Sequence, residues 1–373
     1  MNISRWIETL DAASDWRAQC RECDELLRRG QRETLVEIAR ACANLNPKGG
    51  QSARSSILER IIESLALSTH RDNVWALALI FEGLPTQETH PQPRTSGARR
   101  ARFLASLMAQ EQMPRDCFEL SDWAGDDVAR RELIACLVGE FVVRKREIEP
   151  HLNSQTRAIM EEHPLGHLPL RLLESEANFP FLLPRYNVGS TGRGHASPCA
   201  AGETGVGQTR ELQASEFDFA AMESAVRNWR EESNGRTQGG VWRWECPLDA
   251  ADFGTQLLGA SGLEATAGLL GARRVPFESA LDVLWSAANA GGAYNSGEWG
   301  AWGRWQTWRS VGELAGAPEP NSIEETDEAA QKCVWLDFAG QSSWFDNVAW
   351  DVGLACLRPD GQSMALLAAT DTD

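Results

Sequence analysis

The residues best placed to do chemistry in this chain lie in its last quarter. Between Gly291 and Ser310 four tryptophans, Trp299, Trp302, Trp305 and Trp308, recur every three residues, with Tyr294, Asn295, Glu298 and Arg304 among them. On a helix that spacing drifts slowly round the axis and makes a broad aromatic ridge. Such a ridge most often fills a domain interior. Its other use is a binding face: Trp299, Trp302, Trp305 and Tyr294 would line a groove, and Asn295, Glu298 and Arg304 would supply polar contacts to a partner chain or small ligand.

Other clusters are weaker. Asp346, Asp351, Asp371 and Asp373 could meet at one end of a terminal hairpin, and the Asp371-Thr372-Asp373 spacing puts two carboxylates on one strand face. Clustered carboxylates bind Mg²⁺ or Ca²⁺ or share a proton, while a polar terminus left in solvent explains the last pair equally well. His195 with Cys199, and Cys20 with Cys23, fall short of the roughly four ligands that zinc needs. The runs Gly189 to Gly194 and Gly202 to Gly207 lack the G-K-[ST] of a phosphate loop, and no nucleophile elbow accompanies His195. No metal or cofactor is expected.

These residues must be positioned by two kinds of structure. From Trp6 to Phe81 apolar residues recur at three- and four-residue intervals, as in Leu35, Ile38, Ala39 and Cys42, and short polar breaks separate the runs. The pattern returns at Phe103, Leu104 and Leu107 and at Leu133, Ile134, Leu137, Val138 and Phe141. The fold class expected is α+β: an all-α helical bundle or solenoid-like scaffold over residues 1–175, then an α+β domain over 176–373 that ends in a β-hairpin. That domain should hold a helix from Asp218 to Glu232, a strand around Val241 to Trp244, a helix-like stretch from Leu257 to Leu270 and a helix from Phe277 to Trp285. In the hairpin, Val348, Trp350, Val352, Leu354 and Cys356 share one face, Arg358-Pro359-Asp360-Gly361 turns, and Ser363 to Ala369 returns. The glycine-rich segment 187–213 is read as a long loop, because it has almost no large apolar side chain to bury.

Composition narrows the function classes. Of 373 residues, 42% are hydrophobic and 24% charged, ordinary values for a folded chain long enough for two cores. Residues 151–373 hold 15 Lys and Arg against 30 Asp and Glu, and a field of that sign repels phosphate backbones while it attracts cationic partners. Nucleic acid is therefore not an expected partner, whereas a basic protein is. No apolar run approaches a membrane span, and the first residues carry charges where a signal peptide would be apolar, so a cytoplasmic protein without membrane association is expected. Nine cysteines, an odd number scattered through apolar patterns, read as reduced small hydrophobes.

The segment from Gly291 to Ala317, the phrase from Trp344 to Leu354 and the closing Ala368 to Asp373 resemble an actinobacterial family known only as a domain of unknown function, over roughly residues 180–373. The resemblance implies a bacterial origin and carries no functional residues with it. The function expected from the residues is binding of another protein, in an immunity-like or regulatory role. The alternative is an enzyme of unrecognised type, acting on a small molecule between Tyr294 to Arg304 and the carboxylates.

Overall fold

The computed structural model describes residues 1–12, 15–43, 53–84, 97–182, 210–318, 321–347 and 350–372. Most of the glycine-rich segment, with His195 and Cys199, and also Val348 and Asp373, lie outside the described residues. The chain divides into two compact units, Met1–His163 and Pro164–Asp373. Residues 164–182 belong to the second unit because they are built into its core: Trp285 Nε1 donates to the carbonyl of Phe179 at 3.1 Å, and the two rings stack at 4.3 Å.

The first unit is helical. Helices α1 (Ile3–Ala12), α2 (Arg17–Arg28), α3 (Arg32–Ala43), α4 (Ala53–Ala66) and α5 (Arg71–Gly83) pack around α3 and α4. Each buries the stripe its periodicity marks, such as Leu35, Ile38, Ala39 and Cys42 on α3. Then α6 (Gly97–Glu111), α7 (Pro114–Phe118), α8 (Ser121–Ala124) and α10 (Ser154–Glu161) surround α9 (Val128–Val143), which is buried on all sides over Glu132–Val143. Asp127 caps α9 by accepting the Arg130 N–H at 2.9 Å.

A helix buried all round must neutralise its polar side chains. Glu132 does so by accepting from Arg102 Nε at 2.9 Å and pairing with His163 Nε2 at 3.0 Å. Burial alone would raise this carboxyl, but the His163 hydrogen bond and the Arg102 charge outweigh it and hold the group at about 2, below its ordinary 4.5. The folded value is depressed, so the stability this cluster supplies is present above the ordinary carboxylate value and lost as pH falls towards 2. Acid titration of the intact chain by far-UV circular dichroism should show helix loss in that window. Glu132→Gln should remove part of the pH dependence, at a cost on the order of 2–3 kcal/mol near neutral pH.

The second unit is α+β. Six strands, β1 (Gln213–Ala214), β2 (Arg236–Arg243), β3 (Arg273–Val275), β4 (Val334–Asp337), β5 (Trp350–Leu357) and β6 (Ser363–Asp371), form one antiparallel sheet in the order β1-β2-β6-β5-β4-β3. The expected terminal hairpin is its centre: β5 and β6 pair from Trp350↔Asp371 to Leu357↔Met364. Gly361 takes φ +63° in the turn and donates to the carbonyl of Arg358 at 2.9 Å.

Alternate residues of the sheet serve two cores. One face presents Trp242, Leu336, Ala355, Leu357, Met364, Leu366 and Ala368 to Phe253, Leu257, Leu258, Trp344 and Phe345. The opposite face packs on α15 (Phe277–Ala290) and α16 (Trp299–Ala315), with Phe277 against Trp335 at 5.6 Å.

Two expected helices are shorter than their patterns suggested. Asp218 to Glu232 is broken into α12 (Phe219–Met222) and α13 (Arg227–Glu232), because the Ala225 N–H leaves the helical ladder and donates to Ser310 Oγ on α16 at 2.9 Å. Leu257 to Leu270 reduces to α14 (Thr255–Gly259) and a 3₁₀ turn at Glu264–Thr266, since Gly262 and Gly268 adopt positive φ. The unit is completed by α11 (Phe179–Leu182) and α17 (Ile323–Gln331).

Candidate functional site

Helices α15 and α16 run side by side, joined by the loop Gly291–Glu298. Gly303 permits the close approach, for a Cβ there would stand 3.1 Å from the Cα of Asn289. The loop is compressed between them. Gly291 and Gly297 have φ +80° and +65°, and Trp299, at the first position of α16, has φ +56°.

Side chains hold that conformation by taking up its backbone N–H groups. Asn295 Oδ1 accepts from Gly292 at 3.1 Å and Gly297 at 3.0 Å, while its Nδ2 donates to the carbonyl of Asn228 on α13 at 2.8 Å. Asp371, at the end of β6, accepts the Ala293 N–H at 2.7 Å, and Ser233 Oγ accepts that of Tyr294 at 3.2 Å. Asn295 and Asp371 are thus anchors of the loop, and what they present outward is Tyr294, 49% exposed.

The tryptophan ridge has two sides. Trp299 and Trp308 are buried, and so is Arg304, 1% exposed. Arg304 was expected among the polar contacts of an open groove. Instead its Nε and Nη2 meet both oxygens of Glu176 at 2.6 and 2.9 Å, and its other donors reach the carbonyls of Pro169 and Arg171 at 2.8 and 3.0 Å. Trp308 Nε1 and the Leu173 N–H also donate to Glu176, at 2.8 and 2.7 Å. This pair is a fully hydrogen-bonded internal staple between α16 and the segment before α11. Glu298 is also buried, 7% exposed, so it is not a surface contact.

The outward side carries Trp302, Trp305 and Arg309, one helical stripe of half-buried residues. The two rings meet edge to face at 5.0 Å, and the Arg309 guanidinium lies over Trp305, 4.7 Å from its centre. Of the expected contacts, the structure brings Tyr294, Trp302 and Trp305 to the surface and turns Trp299, Arg304 and Glu298 inward.

The carboxylates do not form one site. Asp351 pairs with Thr370 and Trp350 with Asp371, so strand alternation sends Asp351 and Asp371 to opposite faces of the sheet. Asp351, 3% exposed, accepts from Thr370 Oγ1 at 2.5 Å, and Asp346 lies 3.3 Å from the same hydroxyl. Asp351 and Asp371 therefore cannot line one pocket together with the tryptophan ridge. Among the described residues no three His, Cys, Asp or Glu side chains are grouped to hold a metal ion. Cys23 is buried on α2, where burial pushes its thiol up to about 12, and Cys20 is half-buried beside it.

Sequence reasoning missed Glu176, Asn228, Ser233 and Thr370, none of which stands in a recognisable motif. Their roles come from pairing across long stretches of chain. Among the described residues, no helix is long and apolar enough to cross a membrane.

No curated protein and no solved structure matches the chain. A model of a family of unknown function, DUF6183, matches residues 17–373, reaching through the helical unit as well as the tryptophan-rich one. The chain therefore belongs to this family, whose model covers nearly its whole length.

Proposed function

We propose that this protein is a binding module that docks a basic segment of a partner protein on the outer stripe of α16, with Tyr294 beside the start of that helix as a further contact. The observation that carries this reading is the division of the tryptophan helix. Trp299 and Trp308 are buried in the core, whereas Trp302 and Trp305 are only half-buried and leave part of each ring for a partner to meet. The ring of Trp305 already receives a guanidinium, that of Arg309, which is the contact an arginine of a partner would make.

The excess of 30 acidic over 15 basic residues in 151–373 supports a cationic partner, since it accelerates encounter with one and disfavours a nucleic acid. An immunity-like or regulatory role fits a module of this kind. The test keeps charge constant. Trp302→Ala with Trp305→Ala should weaken binding of an arginine-rich synthetic peptide by tenfold or more, on the scale of ~2 kcal/mol for an interface anchor. Equal binding by the variant would leave only a diffuse charge effect and remove the reading.

A further inference from the structure

Thr370 and Asp371 are consecutive on β6 and fasten different loops on opposite faces of the sheet. Asp371 holds the loop that carries Tyr294. Thr370 holds the connection between β4 and β5: the Asp346 N–H donates to its Oγ1 at 3.1 Å. Arg236 adds to the same fastening, since it donates to the carbonyl of Trp344, pairs with Asp346 at 3.3 Å and lies 5.1 Å over the Trp344 ring. Trp344 and Phe345 are buried in the core of that face, so release of Asp346 would loosen an apolar plug.

A hydroxyl has one proton to give. That of Thr370 is committed to Asp351 at 2.5 Å, yet an oxygen of Asp346 lies only 3.3 Å from the same atom. Two ionised carboxylates around one hydroxyl repel each other; with one of them protonated, all three groups are satisfied. We propose that Asp351, Thr370 and Asp346 form a proton-operated latch, which holds the connection Phe338–Asn347 against the sheet while one proton is shared and loosens it when that proton leaves.

Burial of Asp351 pushes its carboxyl above the ordinary range; hydrogen bonds from Thr370 and the Asn347 N–H oppose this, and the charge of Asp346 reinforces it. The charged groups facing Asp351 are Asp346 from the β4–β5 connection and Arg236 from β2; further along that face Glu264 is held by Gln238 at 3.3 Å. The folded value is raised, so the folded state holds the proton more firmly than the unfolded one. The stabilisation is then complete below the ordinary carboxylate value and lost as pH rises through the raised value.

The experiment is hydrogen exchange of the 340–347 segment in the full chain, expressed as protection factors so that the intrinsic pH dependence cancels. Protection of the Asp346 amide should fall by about tenfold as pH rises through the titration of Asp351, because the two carboxylates then repel each other across the Thr370 hydroxyl. Asp351→Asn, permanently neutral, should keep the protection at every pH, and Thr370→Val should lose it at every pH. Flat protection in the wild type, or the same profile in Asp351→Asn, would overturn the latch. Should Asp351→Asn not fold, Asp346→Asn serves, because it removes the opposing charge: a shrunken pH effect supports the latch and an unchanged one contradicts it.

Discussion

Arg304→Met should unfold the C-terminal unit at markedly lower denaturant, with a loss of about 3–5 kcal/mol, the cost of leaving one member of a buried ion pair without the other. The reason lies with Glu176, which is fully buried and draws two of its hydrogen bonds from Arg304 and a third from Trp308. Methionine fills much of the volume of arginine but cannot donate, and the carbonyls of Pro169 and Arg171 lose their partner as well. The double variant Arg304→Met, Glu176→Leu should recover part of the loss, because removing both charges also removes their desolvation cost, while the Pro169 and Arg171 carbonyls, Trp308 Nε1 and the Leu173 N–H stay without their partners. Urea titration of the four proteins forms a double-mutant cycle, and additive losses would show that the pair is not the staple described.

Gly297→Ala should be nearly as damaging, with a loss of several kcal/mol and a loop that no longer presents Tyr294. Two penalties combine there. The residue has φ +65°, and a Cβ would collide with the carbonyl oxygen of Asn289 and stand 2.6 Å from the carbonyl carbon of Ala290, backbone atoms that cannot swing aside. Gly268 is the natural control. It has the same φ of +65°, with nothing within 4 Å of the place a methyl group would take, so Gly268→Ala should cost only about 1 kcal/mol. Thermal unfolding of the two variants separates conformational strain from collision, and equal losses would mean that the α15–α16 junction is looser than its geometry.

Much of the fold was legible because it follows local rules. The three- and four-residue spacing of α3, the run from Phe277 on α15 and the alternation of Trp350, Val352, Leu354 and Cys356 each reflect one face of an element meeting one core. What was not legible depends on partners distant in sequence. Nothing local indicates that Ser310 interrupts the helix at Ala225, or that Glu176 draws Arg304 inward and so decides which side of the tryptophan ridge is core. Likewise the separation of Asp351 from Asp371 requires the register of β5 on β6, which a hairpin pattern alone does not fix.

The candidate site was therefore read in part. The spacing of Trp302 and Trp305 marks a ridge with Tyr294 and Asn295 beside it, but the sequence does not show their division of labour: Asn295 shapes the loop and Tyr294 is what the loop exposes. Four tryptophans at equal spacing look equivalent in a sequence. Only packing buries two of them fully and leaves two half-buried.

The most direct test of the account is a calorimetric titration of the full chain with an arginine-rich synthetic peptide, beside a glutamate-rich counterpart, for the wild type and for the Trp302→Ala, Trp305→Ala protein. Saturable binding of the basic peptide alone is expected, weakened at least tenfold in the variant while the fold is retained, and weakened by salt in both proteins. Binding of identical strength in wild type and variant, or no binding at low salt, would contradict the claim that the outer stripe of α16 is a docking surface.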